Sequence, residues 1–226
     1  KKPKKTDDIA VDTIFNAVRD DIISGNLAPD SFINSVELAN RFSTSRTPVR
    51  EALLILNQFG LVTLSARKRP KVASVSVKAI RDLYALRSAL HVYISNAIVK
   101  SGQTEALLEL RKRAEQLIDD EGLSTADYLR MIEDYLAFEA KLCGNDLVIE
   151  VLDSLKWRIN WFRRLGTMSR DQLRVLAHDR LRVADAYLEC DAALAAAMNC
   201  SMLRKAADYC EQNFLNRSKA EKPPSV

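Results

Sequence analysis

Arg46 and Arg50 stand four residues apart, so on a helix their guanidinium groups share one face. A guanidinium in that setting reads a guanine edge through two parallel hydrogen bonds, or clamps a base or a phosphate. Thr44, Ser45 and Thr47 beside them carry hydroxyls of the kind that donate to phosphate oxygens. For either arginine the alternative is a surface ion pair with Glu51. Over residues 41–72, the seven cations Arg41, Arg46, Arg50, Arg67, Lys68, Arg69 and Lys71 face the single acid Glu51. Such an imbalance suits a polyanion, the bland alternative being a solvated basic face.

The rest of the chain bounds what these residues can belong to. Its 226 residues carry 34 Lys+Arg against 30 Asp+Glu, and the net +4 lies within residues 1–77, which leaves 78–226 neutral. With 47% hydrophobic and 28% charged residues the chain buries a core, which excludes disordered and collagenous classes. Six Gly and six Pro are too few for a turn-rich sandwich or barrel, so a mostly α chain of two domains is expected. No run of 18 apolar residues is present, and the start Lys1, Lys2, Lys4, Lys5 leads into Thr6, Asp7 and Asp8. That is neither a signal peptide nor an anchor, so no membrane partner is expected. Cys143, Cys190, Cys200 and Cys210 form no C-x-x-C pair, which suggests a reduced, cytoplasmic protein.

Periodicity then places the elements. Ile14, Phe15, Val18, Ile22 and Ile23 predict a helix over 11–24, ended by Gly25. A turn around Pro29 precedes a short helix capped by Ser35, and residues 43–45 break it. A third helix, about 46–58, tolerates Pro48 in its first turn and aligns Ala52, Leu53, Leu56 and Phe59. Leu61–Leu64, a basic turn over Ser65–Pro70 and Val72–Val77 predict a hairpin. This order is that of a winged helix-turn-helix, whose second helix enters a major groove about 12 Å wide. From Lys78 onward six helices are expected, over roughly 78–101, 104–121, 124–143, 146–165, 169–189 and 191–216. Gly102, Gly122, Gly144 and Gly166 fall at the breaks, and Ser124 and Ser169 at cap positions. The expected division is therefore a DNA-binding domain over 1–77, with 1–10 a flexible basic tail, a helical domain over 78–217, and a disordered tail over 218–226.

Glu37-Leu38-Ala39, the run Ser45-Arg46-Thr47-Pro48-Val49-Arg50-Glu51-Ala52-Leu53, Leu56 and Gly60-Leu61-Val62 resemble the DNA-binding domain of GntR-type bacterial transcription regulators. The helical remainder is similar to the effector domain of the FadR subgroup, the FCD domain, with Asp82-Leu83-Tyr84 to Arg87-Ser88-Ala89-Leu90 opening its first helix. The resemblance implies a homodimer that binds a palindromic double-stranded DNA operator and responds to a small, usually acidic, metabolite. Arg46 and Arg50 match the family's DNA-contacting arginines, and Arg67, Lys68 and Arg69 occupy the wing tip, where the family often has a glycine. Val36 stands where some members carry a contacting arginine.

Many FCD domains bind a divalent metal through an aspartate and three histidines. Here the matching positions hold Ile132, Leu136, Arg180 and Met202, none a plausible zinc ligand, so no metal or other cofactor is expected. A slipped register would offer Asp134, Glu139 and His178. Without a metal, the resemblance implies as counter-charges for a carboxylate effector Arg180, which stands at a histidine position, and Arg87, which matches an arginine common in the subgroup's first helix; their alternatives are a surface site and an internal ion pair. Tyr135, Trp157, Trp161 and Tyr187 are candidates to line the cavity, or else core aromatics. His91 and His178 read as satisfied or exposed histidines.

No G-x-S-x-G, H-E-x-x-H, P-loop or G-x-G-x-x-G occurs, so an enzyme is not expected. The remaining alternative is a helical adaptor whose winged helix is architectural.

Overall fold

A computed structural model describes residues 6–119, 124–166 and 168–220. Among them lie nine helices and one two-stranded hairpin, so the chain is mostly helical as its composition suggests. Two compact units form, one from residues 1–76 with 154–165 and the other from 77–153 with 166–226.

The first unit is built on α1 (Thr6–Ser24), α2 (Ser35–Arg41) and α3 (Arg46–Gln58). Helix α1 starts at Thr6, so residues 6–10 are helical where a tail is expected, while 1–5 lie outside the described residues. Thr, Asp and Asp at its start are residue types that suit a helix N-terminus. Its stripe of Val11, Ile14, Val18 and Ile22 is buried, as is the α3 stripe of Val49, Ala52, Leu53 and Leu56, and the two helices pack together. Phe15 and Phe59 add a tilted ring contact at 5.7 Å. Asn34, not Ser35, caps α2, its side-chain oxygen accepting from the Val36 and Glu37 amides at 3.1 and 3.3 Å. Strands β1 (Val62–Thr63) and β2 (Lys71–Val72) pair antiparallel, Val62 opposite Val72 and Thr63 opposite Lys71. They are shorter than expected, since the next helix, α4 (Val77–Ser101), already starts at Val77; β2 also bridges to Phe32 through Lys71.

Residues 154–165, expected in the helical domain, group instead with this first unit. They form the second half of helix α7 (Asp146–Leu165). Arg158 lies over Gly60, whose φ of +68° favours glycine and where an added Cβ would meet Arg158 Cδ at 2.7 Å. The side chain missing at Gly60 therefore makes room for that arginine.

The second unit contains α4 (Val77–Ser101), α5 (Thr104–Gln116), α6 (Thr125–Leu142), the start of α7 (Asp146–Leu165), α8 (Arg170–Leu188) and α9 (Ala192–Ala220). Helix α9 packs on both α4 and α8, and α5 packs on α8 and α6. Ser124 caps α6, and Ser169 caps α8 through a reciprocal box with Gln172. Helix α5 ends at Gln116, and Gly122 lies outside the described residues. Helix α9 runs to Ala220, so residues 218–220 of the expected tail are helical, and 221–226 lie outside the described residues.

Candidate functional site

The short helix, the turn and the longer helix of the first unit present the arginine pair outward. Ser43 turns the chain with a φ of +49°, and the Thr44 amide donates to the Ala39 carbonyl at 3.0 Å, which closes the turn between α2 and α3. Pro48 and Val49 face the core, which rotates Arg46, Thr47, Arg50 and Glu51 to the exposed side. Among the described residues neither Arg46 nor Arg50 makes an ion pair with Glu51, so both charges face outward. Ser45 occupies the N-cap of α3, yet its hydroxyl makes no capping hydrogen bond and remains available to an outside acceptor.

The other basic residues divide into committed and open charges. Arg41 Nη1 donates to Asp21 at 2.9 Å, and Lys71 Nζ to Asp30 at 2.7 Å. Asp30 also accepts from the Ser74 hydroxyl at 2.6 Å, and the Lys71 and Ser74 bonds together hold its carboxyl below the usual range. Arg67, Lys68 and Arg69 are exposed at the hairpin tip. Arg67 takes the left-handed conformation, φ +60°, and the Lys68 amide donates to the Ser65 carbonyl at 3.2 Å. The tip therefore adopts, with an arginine, the backbone that a glycine adopts at no steric cost.

The helical unit holds a second constellation. Arg87, His91 and Ser95 fall four residues apart on the buried side of α4, Tyr135 and Glu139 on α6, Arg180 and Tyr187 on α8, and Asn199 on α9. Tyr187 donates to Glu139 Oε1 at 2.9 Å, and Asn199 Nδ2 donates to the Tyr187 hydroxyl at 2.9 Å and to Ser95 Oγ at 3.2 Å. Ser95 in turn donates to the His91 carbonyl at 2.8 Å. The Arg180 guanidinium lies 5.9 Å from the Tyr135 ring centre, and the Tyr135 hydroxyl reaches the Arg180 carbonyl at 3.5 Å. Burial, the largest influence, raises Glu139 above its ordinary value, with Tyr187 and Arg180 opposing it. Burial, reinforced by Arg87 and Arg180, lowers His91 to about 3, which leaves its imidazole neutral. Burial also pushes the Tyr135 and Tyr187 hydroxyls well above their ordinary value, so both stay protonated.

Of the effector candidates, Arg87, Arg180, Tyr135 and Tyr187 are thus brought together, and Trp157 is not. Trp157 belongs to the 154–165 segment of the first unit, where the Arg19 guanidinium sits 4.2 Å from its ring centre and Lys156 5.2 Å. Trp161 is buried in the same segment, 5.8 Å from the Phe162 ring.

Residues 10–72 match the family model described as bacterial regulatory proteins, gntR family. The first unit carries a GntR-family DNA-binding domain. The chain is 28% identical over 102 residues to the HTH-type transcriptional regulator YdhC of Bacillus subtilis, a match over 45% of this chain and 46% of that protein. It is 27% identical over 148 residues to the Nta operon transcriptional regulator of Aminobacter aminovorans, covering 66% of this chain and 70% of that one. The solved structure of E. coli McbR/YncC has the same fold, with a TM-score of 0.72 at 16% identity over 91% of this chain and 98% of that one.

The exposed arginine pair therefore sits at the start of α3, within the matched region. The metal positions of the resemblance do not suit a metal: Ile132 and Met202 are buried apolar side chains, Leu136 is aliphatic, and Arg180 is a buried guanidinium. Asp134 and His178 are exposed and Glu139 is buried, so the slipped set does not assemble either, and no group of three His, Cys, Asp or Glu suited to a metal occurs among the described residues. No helix among them is long and apolar enough to cross a membrane.

Sequence reasoning missed His91, Ser95, Glu139 and Asn199 as members of one constellation. His91, read as satisfied or exposed, is buried with Nδ1 making no hydrogen bond. The signal lay in spacing, since 87, 91 and 95 continue one stripe with Tyr84, Ile94 and Ile98, and Asn199 follows Ala195 on the buried face of α9. A polar residue on an apolar stripe marks a buried network.

Proposed function

We propose that this chain is a transcription regulator of the FadR subgroup that acts as a homodimer. Paired α3 helices read a palindromic DNA operator, and a small carboxylate held in the helical unit sets operator affinity. The observation that carries this reading is Arg46 and Arg50 exposed one turn apart at the start of the recognition helix of a GntR domain. Their geometry supports bidentate base contact, while Thr44, Ser45, Thr47 and the wing cations Arg67, Lys68 and Arg69 hold the backbone. Two recognition helices are needed because one reads only a few base pairs, and a twofold pair matches a palindrome. For the effector, the support is the pair of buried guanidinium groups of Arg87 and Arg180, whose planar donors fit a carboxylate. The side chains at the metal positions favour recognition without a metal. From YdhC and the Nta operon regulator, both named as transcriptional regulators, only the regulation of transcription is carried over.

Selection of duplexes from a random pool by the full chain tests the reading. It predicts enrichment of an inverted repeat with half-sites about one helical turn apart, and binding that weakens steeply with salt. Enrichment of no sequence, or salt-tolerant binding, contradicts it and favours an architectural adaptor.

A further inference from the structure

The end of α3 far from Arg46 is closed by a ring of contacts that needs two residues from outside the matched region 10–72. Phe59 caps α3 and meets the Phe15 ring of α1 at 5.7 Å. The Arg19 guanidinium lies 5.6 Å from the Phe15 ring centre and 4.2 Å from that of Trp157. Its own place is fixed by Asn16, which accepts from Nη1 at 2.6 Å, and by Asp20, which accepts from Nε at 2.9 Å. Arg158, next to Trp157, then lies over Gly60, next to Phe59, and so completes the ring.

The second half of α7 is built for this seat. Trp161 and Phe162, one turn beyond Trp157 and Arg158, are buried, and the Arg158 guanidinium lies 5.9 Å from the Phe162 ring centre. A Cβ at Gly60 would meet Arg158 Nε at 3.2 Å and Nη1 at 3.4 Å as well as Cδ, so the stem and head of the arginine both cover that backbone. The methylene stem of an arginine packs in this way as an apolar surface. Base-edge hydrogen bonds need close placement of the helix that makes them, whereas phosphate contacts carried by charge tolerate displacement.

We propose that Arg158 is a positioning residue for DNA reading: seated on Gly60, it buttresses the C-terminal end of α3, so that Arg46 and Arg50 reach base edges only while the second half of α7 is docked. This rests on the reading that α3 reads an operator, and adds to it a residue that acts through α3. Because α7 is one unbroken helix whose first half belongs to the helical unit, the same seat gives that unit a hold on α3.

Arg158 is also a cation, so positioning has to be separated from attraction to phosphates. The test compares the full chain with Arg158→Ala and the conservative Arg158→Met, which keeps a stem over Gly60 and removes the charge. Anisotropy on a selected operator and a scrambled duplex is measured at several salt concentrations, well below the melting temperature of each variant. Arg158→Ala should bind the operator about tenfold more weakly and the scrambled duplex within about twofold of the unaltered chain. Arg158→Met should restore operator binding to within about twofold, with the salt slope unchanged. Gly60→Ala, whose Cβ displaces Arg158, should reproduce the loss, and adding Arg158→Ala to it should cost less than about twofold more. Either Arg158→Ala or Gly60→Ala decides the matter if the other fails to fold. Unchanged operator binding in the alanine variants, or equal losses on both duplexes, would overturn the positioning role and leave reading by α3 standing. So would a loss in Arg158→Met equal to that in Arg158→Ala with the salt slope lowered by about one, the mark of a phosphate contact. No preference for any duplex in the unaltered chain would overturn both.

Discussion

The Tyr187 hydroxyl donates to Glu139 Oε1 at 2.9 Å inside the helical unit, and joins α8 to α6 through two buried polar groups. Because Asn199 donates to the same hydroxyl, removing it disturbs α9 as well. Tyr187→Phe should destabilise the full chain by about 1–3 kcal/mol, since it removes a hydroxyl donor from a buried carboxyl. Urea denaturation measures this, and a loss below about 0.5 kcal/mol, the lower end for one hydrogen bond, would show the network to be incidental.

His91 gives the interior a pH dependence of known sign. The groups around it are Arg87 on its own helix, Glu139 on α6 and Arg180 on α8. Its folded value, about 3, lies below the ordinary 6.5, so the unfolded chain takes up the proton first as pH falls. The stability it contributes is complete above about 6.5 and declines toward pH 3, by at most about 1.4 kcal/mol per pH unit. Glu139, raised by burial, has the opposite sign and costs stability as pH rises through its folded value. His91→Gln should therefore flatten the fall between pH 6.5 and 4 when stability is followed by denaturation at stepped pH. An unchanged slope would contradict a neutral buried imidazole.

Trp157 separates the two units experimentally. Its ring is occupied by Arg19 and Lys156, both in the first unit. Trp157→Leu should lower thermal stability and leave the affinity for a carboxylate probe within about twofold, whereas Arg180→Met should abolish that affinity. Loss of acid binding in Trp157→Leu would restore Trp157 to the effector site.

The wing cations should differ among themselves. Lys68 is exposed at the tip, so Lys68→Ala should weaken binding to every duplex alike and reduce the salt slope by about one. Lys71 is held by Asp30, so Lys71→Met should change the slope less. Anisotropy titrations at several salt concentrations compare them. Equal slope changes would place Lys71 on the phosphates too.

Helix order and the winged hairpin were legible because each element carries its own periodicity and stop signal, as with the α3 stripe ended by Gly60. The outward placement of Arg46 and Arg50 was legible because Pro48 and Val49 anchor the opposite face. The commitments of Arg41 and Lys71 were not, since Asp21 and Asp30 lie 20 and 41 residues away in the chain. The polar constellation was half legible. Arg87 and Arg180 stood out by charge, but Glu139, Ser95 and Asn199 gain their meaning only when four helices bring them together. The placement of residues 154–165 was hidden for the opposite reason, because α7 is one unbroken helix and its periodicity gives no sign of a change of unit.

The most direct measurement is the affinity of the full chain, Arg46→Ala and Arg50→Ala for a selected operator and for a scrambled duplex of the same composition. A base-reading arginine predicts that the substitution costs about 1–3 kcal/mol on the operator and far less on the scrambled duplex, so that sequence preference narrows. Equal losses on both duplexes for both substitutions would mean that the pair holds only phosphates, and would contradict the recognition role assigned to α3.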